Sequence, residues 1–193
     1  MDSELYHFSA GGLYDGLVLL IDDETNTYWN HITGEAVHGP LRGKRLDFWN
    51  ISITTVVAAL EANPGLTLSR SKKMSLRARF FSFLHRHKID SRGFLPPTFL
   101  RTMGGPDERL PRMSQGLGVV VGNDARFYPV ETLREEAIDD DWNGRMLRIA
   151  RGAVDHVPFA EWQDGARPFQ LFTRWYGFSY TFPGCSIVER SQH

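Results

Sequence analysis

The chain has 193 residues, of which 41% are hydrophobic and 23% charged, and its 22 Lys and Arg residues nearly balance 23 Asp and Glu residues. A chain of this length buries enough surface to fold as one domain, residues 1–193, without a disulfide or a structural metal. The balanced charge argues against a nucleic-acid-binding protein, which would be strongly basic. The single cysteine, Cys185, excludes an intrachain disulfide and every site that needs four cysteines.

The N-terminus and the apolar runs predict where the protein works. The first residues, Met1 to Glu4, lack the positive charge of a signal peptide. The longest aliphatic runs, 17–21 and 56–60, are far shorter than the roughly 18 apolar residues of a membrane span. We therefore predict a cytoplasmic protein.

Short strands are the most frequent predicted elements. Segments of strand length, marked by apolar residues or by neighbouring turns, are predicted as strands at 17–21, 44–49, 66–68, 117–121, 126–128, 137–142 and 145–150. Residues 27–38 predict a hairpin around a two-residue turn at Thr33-Gly34, and Asn143-Gly144 is the strongest hairpin signal in the chain.

Two short helices are predicted from capping residues. Thr54 or Thr55 is the N-cap of a helix that ends before Pro64-Gly65, and Pro129 opens a helix that continues to about Ala137. Short helices among many short strands predict an α+β domain with mainly antiparallel sheet.

Two distant segments, 54–69 and 173–188, share one sequence pattern. In each, a threonine is followed by nine residues, a Pro-Gly pair and a strand-like triplet, which describes a capped helix, its stop and a returning strand. A structural repeat would give two related sub-units around one core, and small-ligand sites often lie at such junctions. The alternative is coincidence, because this local arrangement is common.

Residues 70–88 form the most basic part of the chain, with seven Lys or Arg residues and no acid. Leu76, Phe80, Phe83 and Leu84 lie at helical spacing within this segment, which predicts an amphipathic helix. Its simplest role is to pack on the sheet. The alternative is that it docks on an anionic membrane surface or on a partner protein.

Two histidines flank the predicted turn of the first hairpin. With Thr33-Gly34 as the turn, His31 lies opposite Ala36 and Trp29 lies opposite His38, so that these four side chains share one face. Diagonal neighbours have backbones roughly 7–8 Å apart, so the two imidazoles could share a metal ion or a substrate. A shift of one residue in register would remove the site.

The histidine pair has three interpretations. His31 and His38 could be structural and donate to carbonyl groups. They could bind a divalent transition metal together with a third ligand such as Glu35, His156 or Cys185. They could also act as acid and base on an organic substrate, because histidine titrates near neutral pH.

The C-terminal segment 174–182 is unusually aromatic and is followed by Cys185. As the wall of a pocket it suits a flat or hydrophobic ligand, with Trp175 in the wall and Arg174 and Tyr180 as polar anchors. The alternative is ordinary core. Cys185 is either a small buried hydrophobe or, beside a histidine, a nucleophile.

Several motifs resemble those of one protein family. They are Asp22-x-x-Thr25-x-x-x-Trp29, Thr33-Gly34, Gly39-Pro40-Leu41-x-Gly43, Leu46, Asp107-x-Arg109-Leu110-Pro111, Gly116-Leu117-Gly118-Val119, Ala125-x-x-Tyr128-Pro129 and Phe172-x-x-Trp175. They cover most of the chain and are similar to the prokaryotic family called domain of unknown function 3179. The resemblance implies no reaction and no catalytic residue.

The chain departs from the family pattern in two places. The family usually has glutamine at the position of His31, so the histidine pair is not a family property. The chain also runs from 145–150 almost directly to Phe169, where longer members insert strands, so it resembles a shortened member. A ligand wall formed by those strands is absent or is replaced by 154–162.

From these features we predict a small-molecule enzyme or ligand-binding protein, and a homodimer is one assembly that the sequence allows. The candidate site residues are His31, His38, Glu35 and Cys185 for catalysis and Trp29, Arg174, Trp175 and Tyr180 for ligand binding, with His31 and His38 also as metal ligands. The alternative function is a non-catalytic module that docks through 70–88.

Overall fold

The computed structural model describes residues 5–14, 17–47, 50–51, 53–67, 101–105, 107–133 and 137–188. The elements that lie in these ranges are β1 (Phe8–Tyr14), β2 (Leu17–Asp22), β3 (Tyr28–Asn30), β4 (Ala36–His38), α1 (Val56–Ala62), β5 (Gln115–Val121), β6 (Asp124–Pro129), a 3-10 helix (Val130–Leu133), β7 (Ile138–Trp142), β8 (Arg145–Arg151), β9 (Pro158–Trp162), β10 (Phe169–Arg174), α2 (Trp175–Thr181) and β11 (Ser186–Ile187). The basic segment 70–88 lies outside the described residues.

The described strands form three sheets. The first has the order β1-β2-β3-β4, the second β10-β5-β6-β11 and the third β7-β8-β9. All neighbouring strands are antiparallel except β11, which runs parallel to β6. The predicted class, mainly antiparallel sheet with a few short helices, is therefore confirmed.

The larger core lies where the second sheet faces the third. Its buried members are Leu117, Val119, Tyr128, Leu133, Trp142, Leu147, Ile149, Ala160 and Trp162. The alternation of a strand explains this selection, since Leu147 and Ile149 of β8 point inward while Arg148 between them is exposed.

A smaller aromatic core lies between α2 and the second sheet. Phe127, Trp175 and Phe178 are fully buried there, and the Phe127 and Trp175 ring centroids are 5.1 Å apart. A Cβ atom on Gly118 would stand 2.1 Å from the Phe178 ring, so glycine is required for the helix to approach the strand. The aromatic run of α2 is thus largely core.

Several predicted elements are confirmed at their expected places. Thr55 caps α1, and its Oγ1 accepts a hydrogen bond from the Ala58 N–H at 3.2 Å. Asn143 and Gly144 have φ values of 55° and 85°, as a tight hairpin turn between β7 and β8 requires. The apolar runs 17–21 and 117–121 lie in β2 and β5.

Two strand predictions are wrong in the described residues. The described part of 44–49 makes a single bridge, between Glu35 and Arg45, instead of a strand. Leu66 and Thr67 of 66–68 are also outside any strand. The Leu66 N–H donates to the Asn63 carbonyl at 3.0 Å, so the chain is still turning after α1.

The helix predicted from Pro129 to about Ala137 is wrong in type where the structure describes it. It is a 3-10 turn over Val130–Leu133, and Ala137 is not helical. The Thr132 hydroxyl donates to the Pro129 carbonyl at 2.7 Å, and such local side-chain bonds compete with regular helical hydrogen bonds.

The similarity of 54–69 and 173–188 has a local structural counterpart. Both segments contain a seven-residue helix, and in both the C-cap N–H donates to a carbonyl inside the helix. Their packing differs, because α1 has no buried residue whereas α2 buries Trp175, Gly177, Phe178 and Ser179.

In the part of the chain that the structure describes, no helix has both the length and the apolar character needed to cross a membrane.

Candidate functional site

The predicted histidine site depends on the register of the β3–β4 hairpin. The structure pairs Trp29 with Ala36 and Tyr28 with His38, with an irregularity between the two pairs. The predicted pairing of Trp29 with His38 and of His31 with Ala36 is therefore wrong. The premise that placed both imidazoles on one face is lost with it.

The turn is longer than predicted because Asn30 organises it. Its side-chain oxygen accepts hydrogen bonds from the N–H groups of Ile32 at 2.8 Å and Thr33 at 3.2 Å. Its carbonyl accepts the Gly34 N–H at 2.8 Å. Asparagine commonly builds such turns through its side chain. Asn30 was therefore the residue that could have predicted the longer turn, but the prediction relied on Thr33-Gly34.

The two histidines make different contacts. Nδ1 of His31 donates to the Val18 carbonyl at 2.6 Å, whereas the His38 ring lies 6.0 Å from the ring of Tyr28. The first contact fits the structural interpretation of His31. Among the described residues, no three His, Cys, Asp or Glu side chains are grouped to hold a metal, and Glu35 is exposed. A metal on His31 and His38 stays a prediction from the sequence.

Trp29 belongs to a buried hydrogen-bonded corner between β2 and β3. Its indole N–H donates to the Asp22 carboxylate at 2.7 Å, and Thr25 donates to the same carboxylate from its N–H at 2.5 Å and its hydroxyl at 2.7 Å. Burial acts to raise the pKa of Asp22, but the hydrogen bonds from Trp29 and Thr25 together hold it below its usual value. The motif Asp22-x-x-Thr25-x-x-x-Trp29 thus fastens the first sheet.

Cys185 lies in a second interlocked cluster. Its carbonyl accepts a hydrogen bond from Arg109 at 2.8 Å, and the Arg109 guanidinium also pairs with Asp107 at 2.7 Å. Burial raises the pKa of the Cys185 thiol. A raised pKa keeps the thiol protonated at neutral pH, as in a buried hydrophobe rather than a nucleophile.

The other predicted ligand-binding residues are engaged with the segment before β5. Arg174 donates to the Met113 carbonyl at 2.9 Å, and the fully buried Trp175 donates to the Asp107 carbonyl at 2.8 Å. The Tyr180 hydroxyl donates to the Gly104 carbonyl at 2.6 Å. These bonds hold Gly104, Asp107 and Met113 against α2 and the end of β10, so the structure gives the three side chains a role in packing.

A cavity of about 190 Å³ lies elsewhere, between the segment that precedes α1, the loop between β8 and β9, and the start of β10. Its apolar lining includes the buried Leu117, the half-buried rings of Phe159 and Phe172, and Ile53. Its polar lining comes from Asn50, Asp155, Arg167 and Gln170.

Two side chains fasten the segment before α1 over this cavity. The Asn50 amide donates to the Pro168 carbonyl at 2.9 Å and accepts the Gln170 N–H at 3.1 Å. The Thr54 hydroxyl donates to the Asp155 carboxylate at 2.6 Å. Residues far apart in the chain are thereby joined at one site.

The floor of the cavity is held together by Gln170. Its side-chain amide accepts the Ala160 N–H at 2.7 Å and donates to the Ala160 carbonyl at 2.9 Å. The amide thus occupies both backbone groups that Ala160 presents at the edge of β9. These two hydrogen bonds hold β9, which carries Phe159, beside β10, which carries Phe172.

Asp155 and Arg167 bring opposite charges to the cavity. Hydrogen bonds from Thr54 and from the Val157 N–H hold the pKa of Asp155 below its usual value. The guanidinium carbon of Arg167 lies 4.9 Å from the ring centroid of Phe159. Within the described part of the chain, this exposed guanidinium makes neither a hydrogen bond nor an ion pair, so its N–H groups are free to bind a ligand.

Sequence reasoning did not find this site because its residues come from four separate segments. The one partial signal was the segment 154–162, predicted as the replacement for a missing ligand wall. That segment supplies Asp155, Val157, Pro158 and Phe159.

The comparisons with known proteins agree with the resemblance seen in the motifs. The model of a family described as a protein of unknown function, DUF3179, matches residues 3–169. No curated protein and no solved structure matches the chain significantly. Most of the cavity lining lies inside the matched region, while Gln170 and Phe172 lie just beyond it.

Proposed function

The chain belongs to the DUF3179 family of proteins of unknown function, and we propose that it binds a small organic molecule in the cavity between the segment that precedes α1, β9 and β10. The observation that carries this proposal is the combination of an apolar floor with polar groups at one concave place. Such a combination is typical of ligand sites, where the floor supplies affinity and a few polar groups supply orientation.

The size of the cavity limits the ligand. An engineered apolar cavity of roughly 150 Å³ accommodates benzene. The cavity here measures about 190 Å³. The ligand therefore has about the size of a single ring or a short branched chain, with Leu117 and Phe172 against its apolar part.

Protein-observed NMR with single-ring compounds tests this proposal. We expect benzyl alcohol, benzoate or benzylamine to shift the amide signals of Gly152, Val157 and Phe159, which line the cavity. Ile53→Trp places an indole in the lining and should abolish these shifts. Val57→Trp, an exposed position outside the lining, is the matched control and should leave them unchanged.

The proposal is wrong if none of the three compounds shifts these signals, if the shifts map to another surface, or if they persist in Ile53→Trp. The alternative function, docking through 70–88, concerns a segment outside the described residues. Catalysis, a homodimer, two related sub-units and a cytoplasmic location stay predictions from the sequence.

A further inference from the structure

Two opposite charges line one small cavity without forming an ion pair with each other. Asp155 accepts bonds from Thr54 and Val157, and Arg167 rests on the Phe159 ring. We propose that the ligand is a small zwitterion with an apolar body, such as an amino acid with a branched or aromatic side chain. This inference rests on the proposed function and specifies its ligand class.

Arg167 is suited to the carboxylate of such a ligand. Its guanidinium carries five N–H donors in a planar fork, and the contact with the Phe159 ring orients the fork without using any of them. The Arg167 carbonyl also accepts a hydrogen bond from Asn50 at 3.4 Å, which ties its backbone to the segment above the cavity. A carboxylate can then bind through two parallel hydrogen bonds.

Asp155 is suited to the ammonium group. Oδ2 accepts the Thr54 hydroxyl at 2.6 Å and Oδ1 accepts the Val157 N–H at 3.0 Å. An ionised carboxylate has about four acceptor positions, so these two bonds orient it and leave capacity for a further donor. An ammonium group supplies that donor together with the opposite charge.

A ligand with one charge satisfies only half of this arrangement. A simple carboxylate brings a negative charge into the same small cavity as Asp155, and a simple amine brings a positive charge close to Arg167. Both carry a like-charge penalty that a zwitterion avoids. The apolar lining, with Ile53, Leu117 and Phe172, accommodates the side chain.

Two matched series of compounds test the ligand class by NMR titration at pH 7. The first is L-leucine, 4-methylpentanoate and 3-methylbutylamine, and the second is L-phenylalanine, 3-phenylpropanoate and 2-phenylethylamine. In at least one series we expect the amino acid to bind about tenfold or more tightly than either singly charged compound, because each of these lacks one charged hydrogen-bonding group.

Two variants, each of which removes one charge, assign the charges. Asp155→Asn should reduce the preference for the amino acid over the carboxylate, and Arg167→Gln should reduce the preference over the amine. Comparison of the amide NMR spectra of both variants with that of the wild type separates a charge effect from a loss of structure.

The outcomes distinguish the two proposals. If a singly charged compound binds as tightly as the amino acid in both series, or if only neutral rings bind, the ligand class is wrong and the binding function stands. If no compound shifts the signals of the cavity, both are wrong. If the preferences survive in the two variants, Asp155 and Arg167 are not the groups that recognise the charges.

Discussion

Asp22 and Asp155 are two aspartates with similar partners and different surroundings. Each accepts one threonine hydroxyl and one backbone N–H, and in both these bonds hold the pKa of the carboxyl group low. Asp22 has a third donor, the indole of Trp29, and is fully buried. Asp155 instead lines a cavity.

This difference between Asp22 and Asp155 indicates which of the two carboxylates could bind a ligand. At the Asp22 corner the protein itself supplies the third donor, so the polar side chains are used for folding. Asp155 lines the cavity, and we propose that a ligand supplies its further donor. A cluster of polar residues in a motif is therefore a weaker indication of function than a polar side chain that still has free hydrogen-bonding positions.

The comparison predicts its largest effect for Asp22→Ala. Removal of this carboxylate leaves the Trp29 indole and the Thr25 N–H without their acceptor in a buried place, and we expect a loss of about 3 kcal/mol in the free energy of unfolding. Urea denaturation measures it. Asp155→Ala is the matched control and should lose about 1 kcal/mol or less. Equal losses in the two variants would contradict the distinction.

The two aspartates should also differ in how they make the stability of the protein depend on pH. Because its pKa is lowered in the folded state, the Asp22 carboxylate stabilises the protein fully above the unfolded carboxyl pKa of about 4, and this contribution is lost as the pH falls through the lower folded pKa. Asp22→Asn should therefore flatten the fall in stability below about pH 4. Asp155→Asn should flatten it less and in a more salt-dependent way, since Asp155 is only half-buried.

Urea titrations at several pH values between 6 and 3 measure this dependence. A wild-type fall in stability that Asp22→Asn leaves unchanged would show that other carboxyl groups dominate it. Conversely, a larger effect of Asp155→Asn would reverse the assignment of the two aspartates.

The adjacent threonines Thr54 and Thr55 sharpen the comparison at the cavity. Thr54 donates to Asp155, whereas Thr55 caps α1. Thr54→Val should weaken binding of the amino acid by about threefold to tenfold, as expected for the loss of one hydrogen bond that positions the carboxylate. It should weaken binding of the corresponding carboxylate much less, because that compound has no ammonium group.

Thr55→Val is the control for this measurement. It should cost about 1 kcal/mol of stability through the lost cap and leave the affinity unchanged. NMR titration and urea denaturation of both variants give the two values. If Thr54→Val weakens the amino acid and the carboxylate equally, Thr54 supports the cavity as a whole and does not position Asp155.

Local features of the fold were predictable because their causes are local. Thr55 caps a helix through its own hydroxyl, and Asn143-Gly144 adopts the positive φ values of its turn, wherever the rest of the chain lies. The hairpin register was not predictable from Thr33-Gly34 alone, since the Asn30 side chain competes for the same backbone groups. These two hydrogen bonds go with the change from the predicted pairing of Trp29 with His38 to the observed pairing of Trp29 with Ala36.

The cavity was beyond local reasoning for a different reason. Asn50 and Gln170 lie 120 positions apart and meet through a hydrogen bond from the Gln170 N–H to the Asn50 amide oxygen. Nothing in the immediate neighbourhood of either residue indicates the other. The sequence could place Asp155 and Phe159 in one wall, but the rest of the lining depends on how the segment before α1, β5 and β10 come together.

The smallest effect on stability and binding is expected for the two histidines that the sequence analysis predicted as site residues. His31 and His38 are exposed and make separate contacts, so His31→Ala/His38→Ala should cost about 1 kcal/mol or less in stability. The variant should bind the cavity ligands as the wild type does, and its metal content after purification without a histidine tag should equal that of the wild type.

Metal analysis and NMR titration of this double variant complete the comparison. A stoichiometric metal present in the wild type and absent from the variant would restore the metal interpretation of the histidine pair. A loss of ligand affinity would connect the hairpin to the cavity. With neither, the exposed histidines join Asp22 and Trp29 as residues that serve the first sheet, and the binding function rests on Asp155 and Arg167.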